Sequence, residues 1–252
     1  MTGMHPDWLV PQWPVPPQVR ALCTSRAGGV SAAPFATLNL GDHVGDQPSA
    51  VTANRAVLAQ ALGAQPVFLS QVHGAQVVEL TDQTPDGTQG DACFTDQRHL
   101  ACTMLVADCL PVLFSNAAGT RVAAAHAGWR GLAGQGGHGI LEETLASFKP
   151  SDVIAWLGPC IGPQAFEVGD EVRRQFVAHD PAAQAFFVAR PGHKWLADLP
   201  GLARFRLAAL GVSQIYGNDG SPAWCTVQQP SRFFSYRRDG VTGRLAASVW
   251  LD

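Results

Sequence analysis

Apolar positions in this chain come in short runs, not long helical stripes. Val67 to Leu69, Gln76 to Leu80, Cys93 to Thr95, Cys102 to Val106, Pro111 to Phe114 and Arg121 to Ala125 have the length and composition of strands. Val19 to Thr24 reads as an earlier strand ending at the Gly28-Gly29 turn, with Val153 to Leu157 and Leu245 to Leu251 as later ones. Helical periodicity predicts helices over Pro48–Leu62, Ile140–Phe148, Asp170–Ala178 and Asp198–Leu210. The first has Asp46 or Ser49 available as a cap and Gly63 as its terminator. In the last, which starts at a capping Asp198 and stops at Gly211, Leu199, Leu202, Phe205 and Ala209 share one face, a core pattern. Strands in runs, without strict alternation with helices, predict an α+β fold and not a doubly wound parallel sheet.

Composition narrows the class. The chain has 252 residues, 46% hydrophobic and 15% charged, with 26 glycines and 18 prolines. That is enough apolar material for a sizeable core and too little charge for disorder. Pro11, Pro14, Pro16 and Pro17 make residues 1–17 an expected extended arm, followed by a single domain over 18–252. A net charge of −3 disfavours nucleic-acid binding. The longest apolar run, Cys102 to Phe114, is 13 residues, carries Asp108, and falls short of the roughly 20 that span a bilayer. With no signal-like N-terminus and only six cysteines, a cytoplasmic protein with reduced thiols is expected.

Candidate chemistry gathers in three segments at predicted strand ends: Ser70-Gln71-Val72-His73-Gly74, Ala107-Asp108-Cys109-Leu110-Pro111 and Ala125-His126-Ala127-Gly128-Trp129-Arg130-Gly131. Each offers one metal-capable side chain, His73, Cys109 or His126. Two imidazoles and a thiolate suit zinc, with copper as the softer alternative. Three protein ligands leave a tetrahedral position open, the pattern of a catalytic site. The separations of 36 and 17 residues match no local metal motif, so only the fold can bring the three together.

Other segments are weaker. Gly134-Gln135-Gly136-Gly137-His138-Gly139 fits G-x-G-x-x-G, but seven residues separate it from His126. It therefore reads as a glycine loop and not as a dinucleotide site. Arg237 and Arg238, with Arg244 close behind, could hold an anionic substrate or form a solvated hairpin turn before Gly240. Arg55 and Arg26 are isolated candidates for the same task. Cys160, in Leu157-Gly158-Pro159-Cys160-Ile161-Gly162-Pro163, is either packing or a pocket wall.

Together these segments resemble the laccase-domain, or polyphenol oxidase, family, also described as multifunctional purine nucleoside phosphorylases. The likeness runs from about Thr24 to Leu251. It includes Leu38-Asn39-Leu40-Gly41, Val44-Gly45-Asp46, Phe166-Glu167-Val168-Gly169, Asp198-Leu199, Cys225-Thr226 and Phe234-Ser235-Tyr236-Arg237-Arg238 besides the three metal-ligand segments. The resemblance implies an α+β sandwich, two sheets flanked by helices in α/β/β/α layers, similar to cytotoxic necrotising factor-type cysteine hydrolases. It implies one zinc on His73, Cys109 and His126, and phosphorolysis of adenosine, inosine and methylthioadenosine with adenosine deamination. The implied partners are small molecules, purine nucleosides and phosphate, with Arg55, Arg237, Arg238 and Cys160 as candidate substrate contacts. No nucleic acid or membrane is expected, and a monomer or weak oligomer is. The chain departs from the family where Gln135 to Gly139 lengthen the loop after the second histidine, which is expected to reshape the pocket rim.

Three other readings stand beside this one. A multicopper oxidase needs many clustered histidines, and the chain has eight, scattered and without an H-x-H pair. A cysteine hydrolase would use Cys109 as nucleophile and His126 as base. A non-enzymatic binding module fits poorly with an open three-ligand set.

Overall fold

The structure, a computed structural model, describes residues 4–149 and 152–252. Its centre is a pair of stacked β-sheets. The four-stranded sheet has strand order β1 (Val19–Cys23), β13 (Leu245–Leu251), β5 (Leu100–Val106) and β2 (Gln65–Phe68). The six-stranded sheet runs β12 (Gln214–Gly217), β8 (Val153–Leu157), β6 (Leu110–Asn116), β7 (Val122–Ala127), β4 (Ala92–Thr95) and β3 (Val77–Glu79). A small outer sheet is formed by β10 (Phe187–Arg190), β11 (Lys194–Ala197) and β9 (Glu167–Gly169).

The period of two along each strand sorts side chains between layers. On β5, Cys102 and Met104 join Leu113, Val122, Ala124 and Trp156 in the core between the two large sheets. The alternate residues Ala101 and Leu105 face the opposite way, packing with Leu58, Ala61 and Trp250 beneath α1 (Pro48–Leu62). On β6, Val112 and Phe114 turn outward to meet Ile140 and Leu141 of α3 (Ile140–Leu145) and Leu202 and Leu207 of α5 (Leu199–Ala209). The result is the α/β/β/α sandwich. It also explains the long apolar run, which is two doubly buried strands, β5 and β6, joined by a tight turn in which the run crosses from one sheet to the other. Phe114 is wholly buried on the central strand β6, so Phe114→Ala is expected to cost about 3–5 kcal/mol, read as a lowered denaturant midpoint at unchanged slope.

Several sequence expectations need correction. The first helix begins after Gln47 without a side-chain cap. Asp46 instead accepts from Ser31 Oγ (2.6 Å) and Asn39 Nδ2 (2.9 Å), tying two loops together. Helix α3 stops at Leu145 and not at Phe148. The outer strands β9 to β11, strand β12 and the short helix α2 (Trp129–Ala133) lacked a periodic signal long enough to read. Arg237 and Arg238 lie not in a hairpin but in a single helical turn, α6 (Tyr236–Asp239), capped by Ser235 Oγ accepting from Arg238 N at 3.2 Å. Asp198 does cap α5, accepting from Gly201 N at 2.8 Å, and α4 (Asp170–His179) lies where periodicity placed a helix. In the N-terminal arm Leu9 pairs with Cys23, and Trp8 is buried against the α1 side. No helix among the described residues is long and apolar enough to cross a membrane.

Candidate metal centre

The three metal-capable side chains converge at one end of the sandwich. His73 lies in the loop that follows β2, Cys109 in the β5–β6 turn, and His126 at the end of β7. Their ligand atoms all lie within 4.8 Å of one another. Cys109 Sγ is 3.8 Å from His73 Nε2, and the two imidazole rings meet edge to face at 4.8 Å between centroids. Among the described residues this is the one group of three His, Cys, Asp or Glu side chains so arranged. A soft thiolate with two imidazoles is a donor set that fits a single zinc or copper ion.

Asp91, which sequence reasoning missed, holds the site together. Its wholly buried carboxylate accepts from the amides of Val72 (3.1 Å), His73 (2.9 Å) and Gly74 (2.7 Å), and from His126 Nδ1 (2.9 Å). With Nδ1–H donated to a carboxylate, His126 has Nε2 free to offer to a metal ion. The only sequence signal for this was an acid at the entry of an apolar strand. Burial pushes the Asp91 carboxyl up, but the His126 and amide hydrogen bonds outweigh it and hold it below its ordinary value.

Burial likewise opposes ionisation of Cys109. The charge and hydrogen bond of His126, then those of His73, outweigh it and bring the thiol down to about 6. Burial would lower His126, but Cys109 and Asp91 raise it to about 9. Both shifts favour a thiolate beside an imidazolium. A metal ion would displace the imidazolium proton and keep the thiolate.

Neighbouring groups fix the ligand loops. Gln71 clamps Leu105, accepting from its N–H at 2.8 Å and donating to its carbonyl at 2.9 Å. Asp108 accepts from Thr226 Oγ1 (2.5 Å) and Arg237 N (2.6 Å), and so anchors the Cys109 turn to α6. His73 (φ 62°) and Asp108 (φ 95°) both adopt left-handed backbone, a strained state held here by these bonds. A Cβ on Gly128 would stand 3.0 Å from Cys109 Sγ and 3.1 Å from His73 Cδ2, so a side chain there would crowd both ligands.

The three side chains line a cavity of about 900 Å³, bordered also by Trp129, Phe166 and Tyr236 and by Arg55, Arg130, Arg237 and Arg244. Of the sequence candidates, Arg55, Arg237 and Arg244 reach it. Arg238 and Cys160 do not line it. The Arg238 guanidinium is engaged by the Thr226, Val227 and Phe233 carbonyls and by Asp239. Cys160 is wholly buried, with Asn218 Nδ2 3.4 Å from its sulfur. Arg26 binds the Ala36 and Pro230 carbonyls outside the cavity. The lengthened glycine loop also stays outside: Gln135 and His138 close it as a tight turn, and Arg206 anchors it through Gly137 O, Ala133 O (3.2 Å) and Glu142 (2.7 Å). None of residues 134–139 borders the cavity.

The chain is similar to known proteins over nearly all its length. It is 51% identical over 247 residues to purine nucleoside phosphorylase YfiH of Escherichia coli, covering 96% of this chain and 98% of that one. It is 50% identical over 249 residues to purine nucleoside phosphorylase PA4543 of Pseudomonas aeruginosa, covering 97% and 98%. The solved structure of Neisseria meningitidis protein NMB0706 superposes with a TM-score of 0.92 at 46% identity, over 98% of this chain and 99% of that one. YlmD from Geobacillus stearothermophilus gives 0.80 at 32% identity, over 93% and 92%. The family described as multi-copper polyphenol oxidoreductase laccase matches residues 20–252, and this chain belongs to it.

Proposed function

We propose that this protein is a zinc-dependent purine nucleoside phosphorylase, acting on adenosine, inosine and methylthioadenosine, with adenosine deaminase activity, in the cytoplasm. The observation that carries the reading is an open three-donor site in a cavity lined by both arginines and aromatic rings. The purine nucleoside phosphorylase names of the relatives support it. The cavity volume falls within the range of about 300–1,000 Å³ usual for small-molecule sites.

His73, Cys109 and His126 would hold the ion, which when bound supplies Lewis-acid polarisation. The chain does the rest. Asp91 keeps His126 in one tautomer and orientation. The exposed Tyr236 ring at the cavity offers a face on which a purine can stack, while Trp129 and Phe166 carry the guanidinium groups of Arg130 and Arg237. The arginines offset the charge of an entering phosphate. In phosphorolysis a phosphate oxygen bonds to ribose C1′ as the C1′–N9 bond breaks, and the purine leaves with that electron pair and takes up a proton. Inosine and phosphate thus become hypoxanthine and ribose 1-phosphate. Deamination replaces the C6 amino group of adenosine with oxygen from water and releases ammonia.

The donor set is also compatible with copper, and the family description names a copper oxidase. A multicopper centre, however, needs further donor clusters, and among the described residues there is one. The zinc-loaded protein is expected to convert inosine to hypoxanthine and ribose 1-phosphate in equal amounts, at a rate that rises with phosphate. Adenosine deamination is expected to continue in phosphate-free buffer. Chromatography of base, nucleoside and sugar phosphate reads both reactions. Full-rate base release without phosphate would show hydrolysis and overturn the phosphorylase reading.

A further inference from the structure

The four cavity arginines are not equivalent. Arg55 pairs with Asp42 at 3.1 Å, donates to Leu40 O at 3.0 Å and lies over the Phe68 ring. Arg237 donates to the Glu167 carbonyl at 3.0 Å, and Arg244 to the Thr242 and Gly243 carbonyls at 3.1 and 3.2 Å. Among the described residues the exposed Arg130 side chain has neither a hydrogen bond nor an ion pair. Its guanidinium stacks on Trp129 at 4.5 Å from the ring centroid, which restrains its plane and leaves its in-plane N–H donors without protein acceptors.

The backbone around Arg130 is seated on the metal-ligand loops. A Cβ on Gly128 would stand 3.0 Å from Cys109 Sγ, and one on Gly131 would stand 2.7 Å from the Gly74 carbonyl. Arg130 is thereby presented to the same cavity as the ligands by a short segment with little room to shift. The charge balance points the same way. A chain of net charge −3 lines this cavity with four arginines against Asp42 and Asp108, and Asp108 already accepts two hydrogen bonds. A planar donor fork without an acceptor, in a locally cationic cavity, matches the geometry of a phosphate oxyanion.

We infer that Arg130 is the principal ligand of a phosphate oxyanion in the metal cavity. The inference rests on the phosphorylase reading for its biological sense, but its test does not depend on turnover. The same chemistry could come from free phosphate or from the phosphate ester of a nucleotide. The experiment therefore titrates zinc-loaded protein with inorganic phosphate in one arm and inosine 5′-monophosphate in the other, followed by 31P NMR and calorimetry. Parent, Arg130→Ala and Arg130→Lys are compared, with Arg190→Ala, outside the cavity on β10, as control.

Arg130→Ala is expected to weaken binding about ten- to a hundredfold, the size of one lost charge-assisted hydrogen bond. Arg130→Lys should recover part of that loss, since it keeps the charge but not the fork. Zinc content should be unchanged in each variant. Weakening with inorganic phosphate identifies the free ion as the ligand; weakening confined to the nucleotide arm identifies the ester. Equal affinity of parent and Arg130→Ala in both arms, or binding of neither compound to the parent, would overturn the assignment. Arg130-dependent phosphate binding without nucleoside turnover would overturn the phosphorylase reading and leave the subsite standing.

Discussion

Replacing Cys109 by alanine is expected to yield a folded protein that no longer retains its metal. The side chain sits half-buried in the β5–β6 turn, and its sulfur faces His73 and His126 and no core layer. Its removal leaves two imidazoles and no thiolate. Loss of an outer-shell partner alone costs about 10–100-fold in metal affinity, so loss of a direct ligand should exceed about a hundredfold. Elemental analysis after dialysis should find one zinc per parent chain and almost none in Cys109→Ala. Nucleoside turnover should vanish with it, and the far-ultraviolet dichroism should be unchanged. Zinc retained at the parent level would sink the ligand assignment. Several coppers per parent chain would favour the oxidase reading. The hydrolase reading also predicts an inactive Cys109→Ala, so chelation of the parent separates the two. A chelator should abolish turnover if metal is required and leave a cysteine nucleophile working.

Asp91→Asn should affect both metal binding and stability. The native carboxylate is buried and accepts from three loop amides and an imidazole. An asparagine brings one oxygen and an NH2 group into a site furnished wholly with donors, so at least one donor loses its acceptor and another meets a donor. At about 1–3 kcal/mol for each buried group left unsatisfied, a total loss of about 2–4 kcal/mol is expected. His126 also loses the partner that fixes its tautomer, and zinc affinity should fall about 10–100-fold. Unfolding should be measured on metal-free protein, because bound metal stabilises by mass action and would merge the two effects. A competition titration with a chromogenic chelator reads the affinity separately. Zinc affinity equal to the parent would mean that Asp91 supports the loop but does not orient the ligand.

These two substitutions mark the boundary between what was legible along the chain and what was not. Cys109 was legible because its turn lies between two apolar runs, and a thiol beside an acid has no packing role there. Asp91 was silent, because its partners lie between 17 and 35 residues away and only loop closure brings them together. The same contrast holds among the arginines. Sequence drew attention to Arg237 and Arg238 because they are adjacent. The structure engages Arg238 with carbonyls and leaves Arg130, which the sequence offered only as part of the second histidine's segment, without a hydrogen-bond partner among the described residues.

Periodicity and caps alone determined β5 through β8, helices α4 and α5, and the α+β class, since these depend on which residues can be buried together locally. They also placed His73, Cys109 and His126 at strand ends. Only the tertiary structure decided that those ends meet. The chain crosses from one sheet to the other in the turn that carries Cys109, and this brings residues from both sheets within ligand distance. It likewise decided that the glycine loop lies outside the pocket, where Arg206 anchors it, and which arginines remain free to meet an anion. Hydrogen-bond engagement depends on neighbours distant in sequence, and no local pattern encodes it.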